Sequence, residues 1–321
     1  MSSLDPTFSS YTKPQAQKYA QARLSYPSQL YETIITHHTQ TGGRLDTLVD
    51  VGCGPGNATR DLALSFEYAF GLDPGTEMII SARQRGGRTR SGNEARFAVA
   101  PAEECVGVVA EMTRAGGVEG GDGKVDLLTA AMAAHWFDMP KFWTNAAEMV
   151  KPGGTVALWT CASLYCHPST PNAAAVQAAL FRLEREILAP YELPSNRLSR
   201  DLYDKLVLPW DVPRNNEAVF PASEFVRMEW DRDGVLSDGK EFFGGESKRI
   251  TLADLAKSLD TASMVTRWRE AHPELVGTDK DCVRETIDEV RRSLGESGEI
   301  GNEDVSIKVG SGTVLLLFKR R

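Results

Sequence analysis

The feature that most constrains the fold of this chain is a glycine-rich loop that follows an apolar segment. Residues 45–52 read L-D-T-L-V-D-V-G, a short apolar run ending in glycine, which is typical of a buried strand. The loop continues as C-G-P-G-N, and residues 58–66 then carry apolar side chains at helical spacing. A strand, a glycine loop and a helix in this order bring the backbone close to a ligand at the carboxyl edge of a parallel sheet.

The same alternation of strand and helix patterns continues along the chain. Further strands are predicted over 68–73, 95–100, 124–131 and 155–160, with helical patterns between them. We therefore expect an α/β fold of the Rossmann-like, doubly wound type, with a mainly parallel seven-stranded sheet. Residues 305–319 look like two strands joined by G-S-G, which predicts a C-terminal antiparallel hairpin.

The regular pattern breaks between residues 161 and 250, where prolines, tryptophans and short polar stretches replace it. This break predicts four segments. They are an N-terminal helical cover (1–44), a ligand-binding core (45–160), an inserted lid that selects a second ligand (161–250), and the end of the core (251–321).

Composition limits the class of protein. Net charge is -8, from 36 basic and 44 acidic residues, which disfavours a nucleic-acid partner. The sequence has neither an apolar run of about 18 residues nor the pattern of a secretory signal, so we expect no membrane segment. Five scattered cysteines without C-x-x-C spacing favour reduced thiols over zinc or disulfides. We expect a cytoplasmic protein without a metal site, and its oligomeric state stays open.

The spacing of the loop glycines indicates which ligand is bound. A dinucleotide fingerprint requires G-x-G-x-x-G, but here Asn57 occupies the position of the third glycine. Pro55 also lacks the N–H that a phosphate would use. A carboxylate at Asp50 would repel a diphosphate and attract a cation. Asp73 ends the second strand, where an acidic side chain can accept both hydroxyls of a ribose.

The predicted ligand therefore has a ribose, a positive charge and no phosphate, and S-adenosylmethionine fits this description. An alternative is that the glycines only form a tight turn and that both aspartates only cap backbone amides.

With these motifs the chain resembles class I S-adenosylmethionine-dependent methyltransferases. V-D-V-G-C-G-P-G-N (49–57) is similar to the family's first motif, G-L-D-P (71–74) to its ribose motif, and V-K-P-G-G-T-V-A-L-W (150–159) to the turn into the fifth strand. More narrowly, A-H-W-F-D (134–138) and Y-A-Q-A-R-L-S-Y-P (19–27) resemble the trans-aconitate methyltransferase-like group of small-molecule enzymes in fungi.

The resemblance implies roles for individual residues. The loop glycines would run beneath the methionine part of the cofactor, Asp73 would hold the ribose, and Tyr19 and Arg23 would fold over the cofactor. Together with Asp50, the residues expected to bind the cofactor are Tyr19, Arg23, Gly52, Gly54, Gly56, Asp73, Pro74, Met78, Ala102, Glu103 and Ala130.

The acceptor side centres on His135, which follows the fourth strand at the predicted active edge. His135 is a candidate general base or orienting group, and the alternative is a structural histidine. A carboxylate acceptor needs no base, whereas a phenol or a thiol benefits from one. The residues expected to contact a small acceptor are His135, Trp136, Tyr165, Arg197 and Trp268. His37 and His38, at a helix end, are expected to be solvated.

Three other functions compete with methyl transfer to a small molecule. A methyltransferase fold that binds the cofactor without transferring methyl stays open. A nicotinamide-dependent oxidoreductase requires glycine at 57 and no acid at 50, and both conditions fail. A protein or nucleic-acid methyltransferase is disfavoured because A-M-A-A (131–134) stands where an N-P-P-Y-type segment would be.

Overall fold

The fold is known from a computed structural model that describes residues 12–13, 26–212, 216–244, 248–295 and 305–321. Tyr19 and Arg23, which the sequence predicts to cover the cofactor, lie outside these ranges. Within the described ranges, no helix is long and apolar enough to span a membrane.

A single mixed sheet forms the centre of the molecule. The strands of the described residues are β1 (Thr47–Val51), β2 (Tyr68–Asp73), β3 (Arg96–Val99), β4 (Val125–Ala131), β5 (Val150–Cys166), β6 (Val226–Trp230), β7 (Lys248–Thr251) and β8 (Ser306–Lys319). Their order is β3-β2-β1-β4-β5-β8-β6, and the short β7 pairs with β8 beyond this path. The first five strands are parallel and the last three pair antiparallel. The predicted α/β fold class is confirmed, with eight strands in the described sheet rather than the predicted seven.

Helices cover both faces of the sheet. In the described part of the chain they are α1 (Ser28–Gln40), α2 (Asn57–Ala63), α3 (Thr76–Arg85), α4 (Cys105–Gly116), α5 (Met139–Met149), α6 (Ala173–Arg182), α7 (Pro194–Arg200), α8 (Asn216–Val219), α9 (Leu252–Leu259), α10 (Ser263–Ala271) and α11 (Cys282–Ser293). Leu30 of α1, Leu62 of α2 and Ile79 of α3 join the core on one face. Val109 of α4 and Phe142 of α5 join the core on the other. The sheet is therefore doubly wound, as the alternation predicts.

The C-terminal strand differs from its expected form in one respect. Residues 306–319 form one continuous strand, so Gly310-Ser311-Gly312 does not reverse the chain. A Cβ atom at Gly310 would lie 2.1 Å from the ring of Phe242. The pairing of β5 with β8 also shifts register between Cys161 and Leu164. Gly310 and Gly312 therefore allow a close neighbour and an irregular ladder, and glycine inside a strand often marks such places.

Strands β5 and β8 extend well past the core sheet. The last residue of β4 pairs with Trp159, yet β5 continues to Cys166 and remains paired with β8. This extension carries a helical unit built from α6, α9, α10 and α11, with its own apolar cluster. Because β5 is parallel to β4, the helical unit stands beyond the carboxyl edge of the sheet. The predicted lid segment (161–250) also supplies β6, which pairs with β8 in the core sheet. The boundaries of the four predicted segments stay a prediction.

His38 is not solvated, contrary to the expectation from sequence. It is fully buried on the inner face of α1, with Nε2 2.8 Å from the carbonyl oxygen of Arg44 and Nδ1 2.8 Å from the hydroxyl of Thr155. A carbonyl only accepts, so Nε2 carries the proton and Nδ1 accepts from Thr155. Leu30, Ile34 and His38 recur at i, i+4 and i+8, so they share the buried face of α1.

We expect the substitution His38→Ala to destabilise the protein by about 2–4 kcal/mol at pH 7.5, since it removes two buried hydrogen bonds and leaves a cavity. Burial lowers the pKa of His38 below its ordinary value. The wild type therefore loses stability as pH falls through about 6.5, where the unfolded chain takes up the proton first, and the variant lacks this loss. Urea unfolding at pH 7.5 and pH 5 measures the free energy of unfolding of the wild type and the variant. The difference between the two proteins should be smaller at pH 5, and a larger difference at pH 5 would contradict the assignment.

Candidate functional site

Four loops meet at the carboxyl edge of the parallel strands. They follow β1 (52–56), β2 (74–75), β3 (100–104) and β4 (132–137). Ligands of open α/β sheets bind at this edge, where adjacent strands send their connections to opposite faces. The edge therefore unites segments that are far apart in the sequence.

The glycines of the first loop have different surroundings. All three have positive φ angles, which side chains rarely adopt. A Cβ atom at Gly52 would lie 2.5 Å from Ala133, and one at Gly56 would lie 2.7 Å from Phe97. At Gly54, by contrast, no atom of the chain lies within 4 Å of that position. Gly52 and Gly56 thus allow close packing of the protein, whereas Gly54 borders open space.

Asp73 fixes the loop against the next strand. Its Oδ2 atom accepts a hydrogen bond from the N–H of Gly54 at 2.9 Å, and Oδ1 accepts from Gly75 at 2.8 Å. Burial raises the pKa of Asp73 to about 6, although these two amides act in the opposite direction. Each carboxylate oxygen has two lone-pair sites, so capping the amides leaves capacity for two ribose hydroxyls.

Asp50 lies beneath the loop rather than at its surface, which corrects the expectation that it contacts the cofactor. It is fully buried, and its two oxygens accept from the hydroxyls of Thr59 (2.7 Å) and Thr129 (2.8 Å). Burial raises its pKa to about 6, and the nearby Asp73 adds to this effect. Asp50 therefore joins β1 to α2 and β4, and its charge reaches a ligand only through space.

The remaining candidates for cofactor binding are divided between the surface and the core. Pro74 is exposed beside the edge, whereas Met78 is buried in α3. Ala102 is buried, and the adjacent Glu103 accepts a 2.7 Å hydrogen bond from the N–H of Asp138. Ala130 is fully buried within the core on one face of the sheet, so its side chain does not line the site.

His135 lies at the edge in contact with a residue from a distant segment. Its Nδ1 atom is 3.0 Å from the hydroxyl of Tyr203, and both side chains are buried. Trp136 packs beside the imidazole with ring centroids 4.8 Å apart. His135 therefore contacts both Trp136 and Tyr203 at this edge.

Tyr203 and Met132 adopt backbone conformations that are uncommon for their residue types. Met132, directly after β4, has φ 50°, and the consecutive residues Leu202 and Tyr203 have φ 52° and 62°. The left-handed region costs a non-glycine residue about 1–2 kcal/mol and tends to occur at functional sites. Three such residues at one edge mark it as a candidate site.

The other predicted acceptor contacts lie outside this group. Tyr165 packs on Phe181 in the extension of β5. Arg197 is largely exposed and forms an ion pair with Glu192 at 3.1 Å. Trp268 is buried in the apolar cluster of the helical unit, so it does not close the site at the sheet edge. These three positions do not support the contacts expected from sequence.

Sequence reasoning missed Tyr203 and the hydroxyl groups around it. Thr160 of β5 and Ser199 of α7 are buried with their hydroxyl oxygens 2.6 Å apart. No spacing in the sequence pointed to Tyr203 itself. Such contacts arise from the approach of α7 to β5, which local patterns do not encode.

The comparisons with known proteins agree with this geometry. Residues 49–158 match a family described as a methyltransferase domain. The methyltransferase cfoB of Aspergillus candidus is 28% identical over 287 residues, covering 84% of each chain. A probable S-adenosylmethionine-dependent methyltransferase of Saccharomyces cerevisiae is 29% identical over 141 residues, 44% of this chain and 43% of that protein.

A solved protein of Anaeromyxobacter dehalogenans, assigned to the type II methyltransferases, shares the fold. It is 24% identical, covers 93% of this chain and 97% of its own, and superposes with a TM-score of 0.58. The likeness extends over almost the whole chain, including the segments outside the matched domain.

We expect the substitution Gly54→Ala to weaken the binding of S-adenosylmethionine at least 10-fold, since the methyl group would enter the open space above the loop. Gly42→Ala is the matched control. Gly42 has φ 87°, also has no neighbour within 4 Å, and lies at the opposite end of β1. Both variants should lose about 1–2 kcal/mol of stability through backbone strain. Calorimetric titration of both variants tests this, and equal affinities would place the cofactor elsewhere.

We also expect S-adenosylmethionine to gain affinity relative to S-adenosylhomocysteine as pH rises from 5 to 7.5. The pKa values of Asp50 and Asp73, raised to about 6, mean that both carboxylates gain charge over this range. Only the sulfonium compound carries the extra positive charge, so its relative affinity should rise roughly 2- to 10-fold. Titrations at several pH values measure the ratio. Asp50→Asn should flatten its rise, and a constant ratio in the wild type would refute the electrostatic argument.

Proposed function

We propose that this chain is a class I S-adenosylmethionine-dependent methyltransferase and that it transfers the methyl group to a carboxylate or another oxygen nucleophile of a small organic acceptor. The observation that carries the proposal is the enclosed polar group at the carboxyl edge, where His135 contacts Tyr203 below the helical unit. An acceptor at this edge would lie among buried side chains, an arrangement that suits a small molecule better than a macromolecular surface.

The cofactor side of the proposal rests on the first two loops of the edge. Gly54 borders the open space in which the cofactor would lie, and Asp73 would accept the ribose hydroxyls. Asp50 would add negative charge from below. Pro74, Ala102 and the backbone near residue 130 are proposed to complete the site. When bound, S-adenosylmethionine supplies a methyl group on a positively charged sulfur.

The protein itself would mainly align the two reactants and exclude water. Alignment of reactants accounts for several kcal/mol of barrier reduction in well-oriented reactions. His135 and Trp136 would orient the acceptor, since both follow β4 next to the glycine loop, whose Gly52 packs on Ala133. A carboxylate acceptor carries no proton at neutral pH, so its methylation needs no base.

The net charge of the chain limits the class of acceptor. The overall charge of -8 disfavours nucleic acid as the acceptor.

An alternative is a methyltransferase fold that binds the cofactor without transferring its methyl group, as a sensor would. The intact cofactor loop is compatible with this function as well. The two proposals differ only in turnover, because both require cofactor binding.

Methyl transfer should be detected by mass spectrometry as a product heavier by one methyl group, with S-adenosylmethionine and a panel of carboxylic acids, phenols and thiols. We expect product from carboxylic acids with the wild type and with Gly42→Ala, and at least a 10-fold lower rate with Gly54→Ala at limiting cofactor. Tight cofactor binding without product across the panel would favour the sensor. A product from thiols alone would refute the oxygen acceptor.

A further inference from the structure

The contact between His135 and Tyr203 joins two parts of the chain that fold as separate elements. His135 belongs to the loop after β4, and Tyr203 follows α7, 68 residues later in the chain. The turn that presents Tyr203 contains two successive left-handed residues, Leu202 and Tyr203. Surrounding contacts must hold such a turn against its strain. Here the N–H of Tyr203 donates to the carbonyl of Leu198, and the carbonyl of Tyr203 accepts from Leu206.

A series of hydroxyl groups leads to this contact from α7. Ser199 and Thr160 have their hydroxyl oxygens 2.6 Å apart. Burial raises the pKa of Tyr203 above its ordinary value, while hydrogen bonds with the Thr160 side chain and with the main chain of His135 and Ala134 act in the opposite direction. Tyr203 therefore keeps its proton, and the main-chain N–H groups of His135 and Ala134 donate to its oxygen.

The direction of the hydrogen bonds follows from this arrangement. Because donors already approach the phenolic oxygen, its own proton is directed to Nδ1 of His135. In the opposite direction, Nδ1–H of His135 would donate to Tyr203 and the series would run through Thr160 to Ser199. The Ser199 hydroxyl would then donate to the main-chain carbonyl of Cys161. That carbonyl lies 3.5 Å from the Ser199 hydroxyl, well beyond the usual 2.7–2.8 Å for such a bond. The short contacts favour the series that ends at Nδ1.

We infer that Tyr203 is the positioning residue of His135 and holds its imidazole as the tautomer protonated at Nε2. This inference rests on the proposed function of His135 at the acceptor. In this tautomer the imidazole presents an N–H, which donates a hydrogen bond to an anionic oxygen and is unable to remove a proton from a neutral one. His135 then acts as an orienting donor for a carboxylate acceptor rather than as a general base.

The tautomer is measurable in the resting protein by long-range ¹H–¹⁵N correlation spectra, which distinguish a protonated Nε2 from a protonated Nδ1. The five histidines give five ring signals, and the signal of His135 is the one missing from His135→Gln. We expect the Nε2–H form in the wild type at pH 8. The Nδ1–H form would overturn the inference, and this test needs no variant of Tyr203 to fold.

The substitution Tyr203→Phe keeps the ring and removes only the hydroxyl group. We expect it to produce a mixture of His135 tautomers and to lower kcat for a carboxylic acid about 10-fold or more, with the KM for S-adenosylmethionine changed less than 2-fold. Tyr68→Phe is the matched control. The hydroxyl of Tyr68 bonds to the carbonyl of Gly117 at the far end of β2, so its loss should leave both measurements unchanged.

The two experiments separate this inference from the proposed function. A purely structural Tyr203 would lower stability on substitution and leave the tautomer and kcat unchanged, which would refute the positioning role. If the wild type methylates no carboxylic acid, the proposed function fails, and the tautomer of the wild type and of Tyr203→Phe still decides whether Tyr203 orients His135.

Discussion

Two buried carboxylates hold the glycine loop in place, and the candidate site depends on them. Asp50 accepts from hydroxyls of α2 and β4 beneath the loop, and Asp73 accepts from the N–H groups of Gly54 and Gly75 beside it. With both pKa values raised to about 6, ionisation of each carboxylate costs on the order of 2–3 kcal/mol of stability as pH rises through 6. A cation bound at this edge would offset part of that cost. The two buried carboxylates thus account both for this loss of stability and for the preference for a positively charged ligand.

The long pairing of β5 with β8 decides where an acceptor meets the loop. A parallel sheet alone would end at Trp159, leaving the edge open to solvent. The antiparallel partner lets β5 continue for several residues and support the helical unit, because β8 stays paired with β5 as far as Cys166. α7 then returns to the base of this extension, where Ser199 meets Thr160 and Tyr203 meets His135.

Much of the fold was predictable because its signals are local. The periodicity of apolar residues placed the five parallel strands within a few residues, except for the extent of β5, and the glycine loop with Asp73 indicated the cofactor edge. The extension of β5 was missed because its partner lies about 150 residues away in sequence, and pairing at that distance leaves no local pattern. For the same reason Gly310-Ser311-Gly312 resembled a turn, although Phe242, packed against it, is what requires glycine there.

The sequence by itself determined the class of fold and predicted both the edge for the cofactor and the positive charge of the ligand, since these follow from residue order and from formal charge. Tertiary structure alone decided what each polar side chain does. Asp50 and Asp73 are both acids at strand ends, yet one is fully enclosed and the other reaches the edge, because β1 is central in the sheet and covered on both faces. His38 and Tyr203 acquired their partners only when α1 and α7 docked on β5, and these partners offset the cost of burying a polar group.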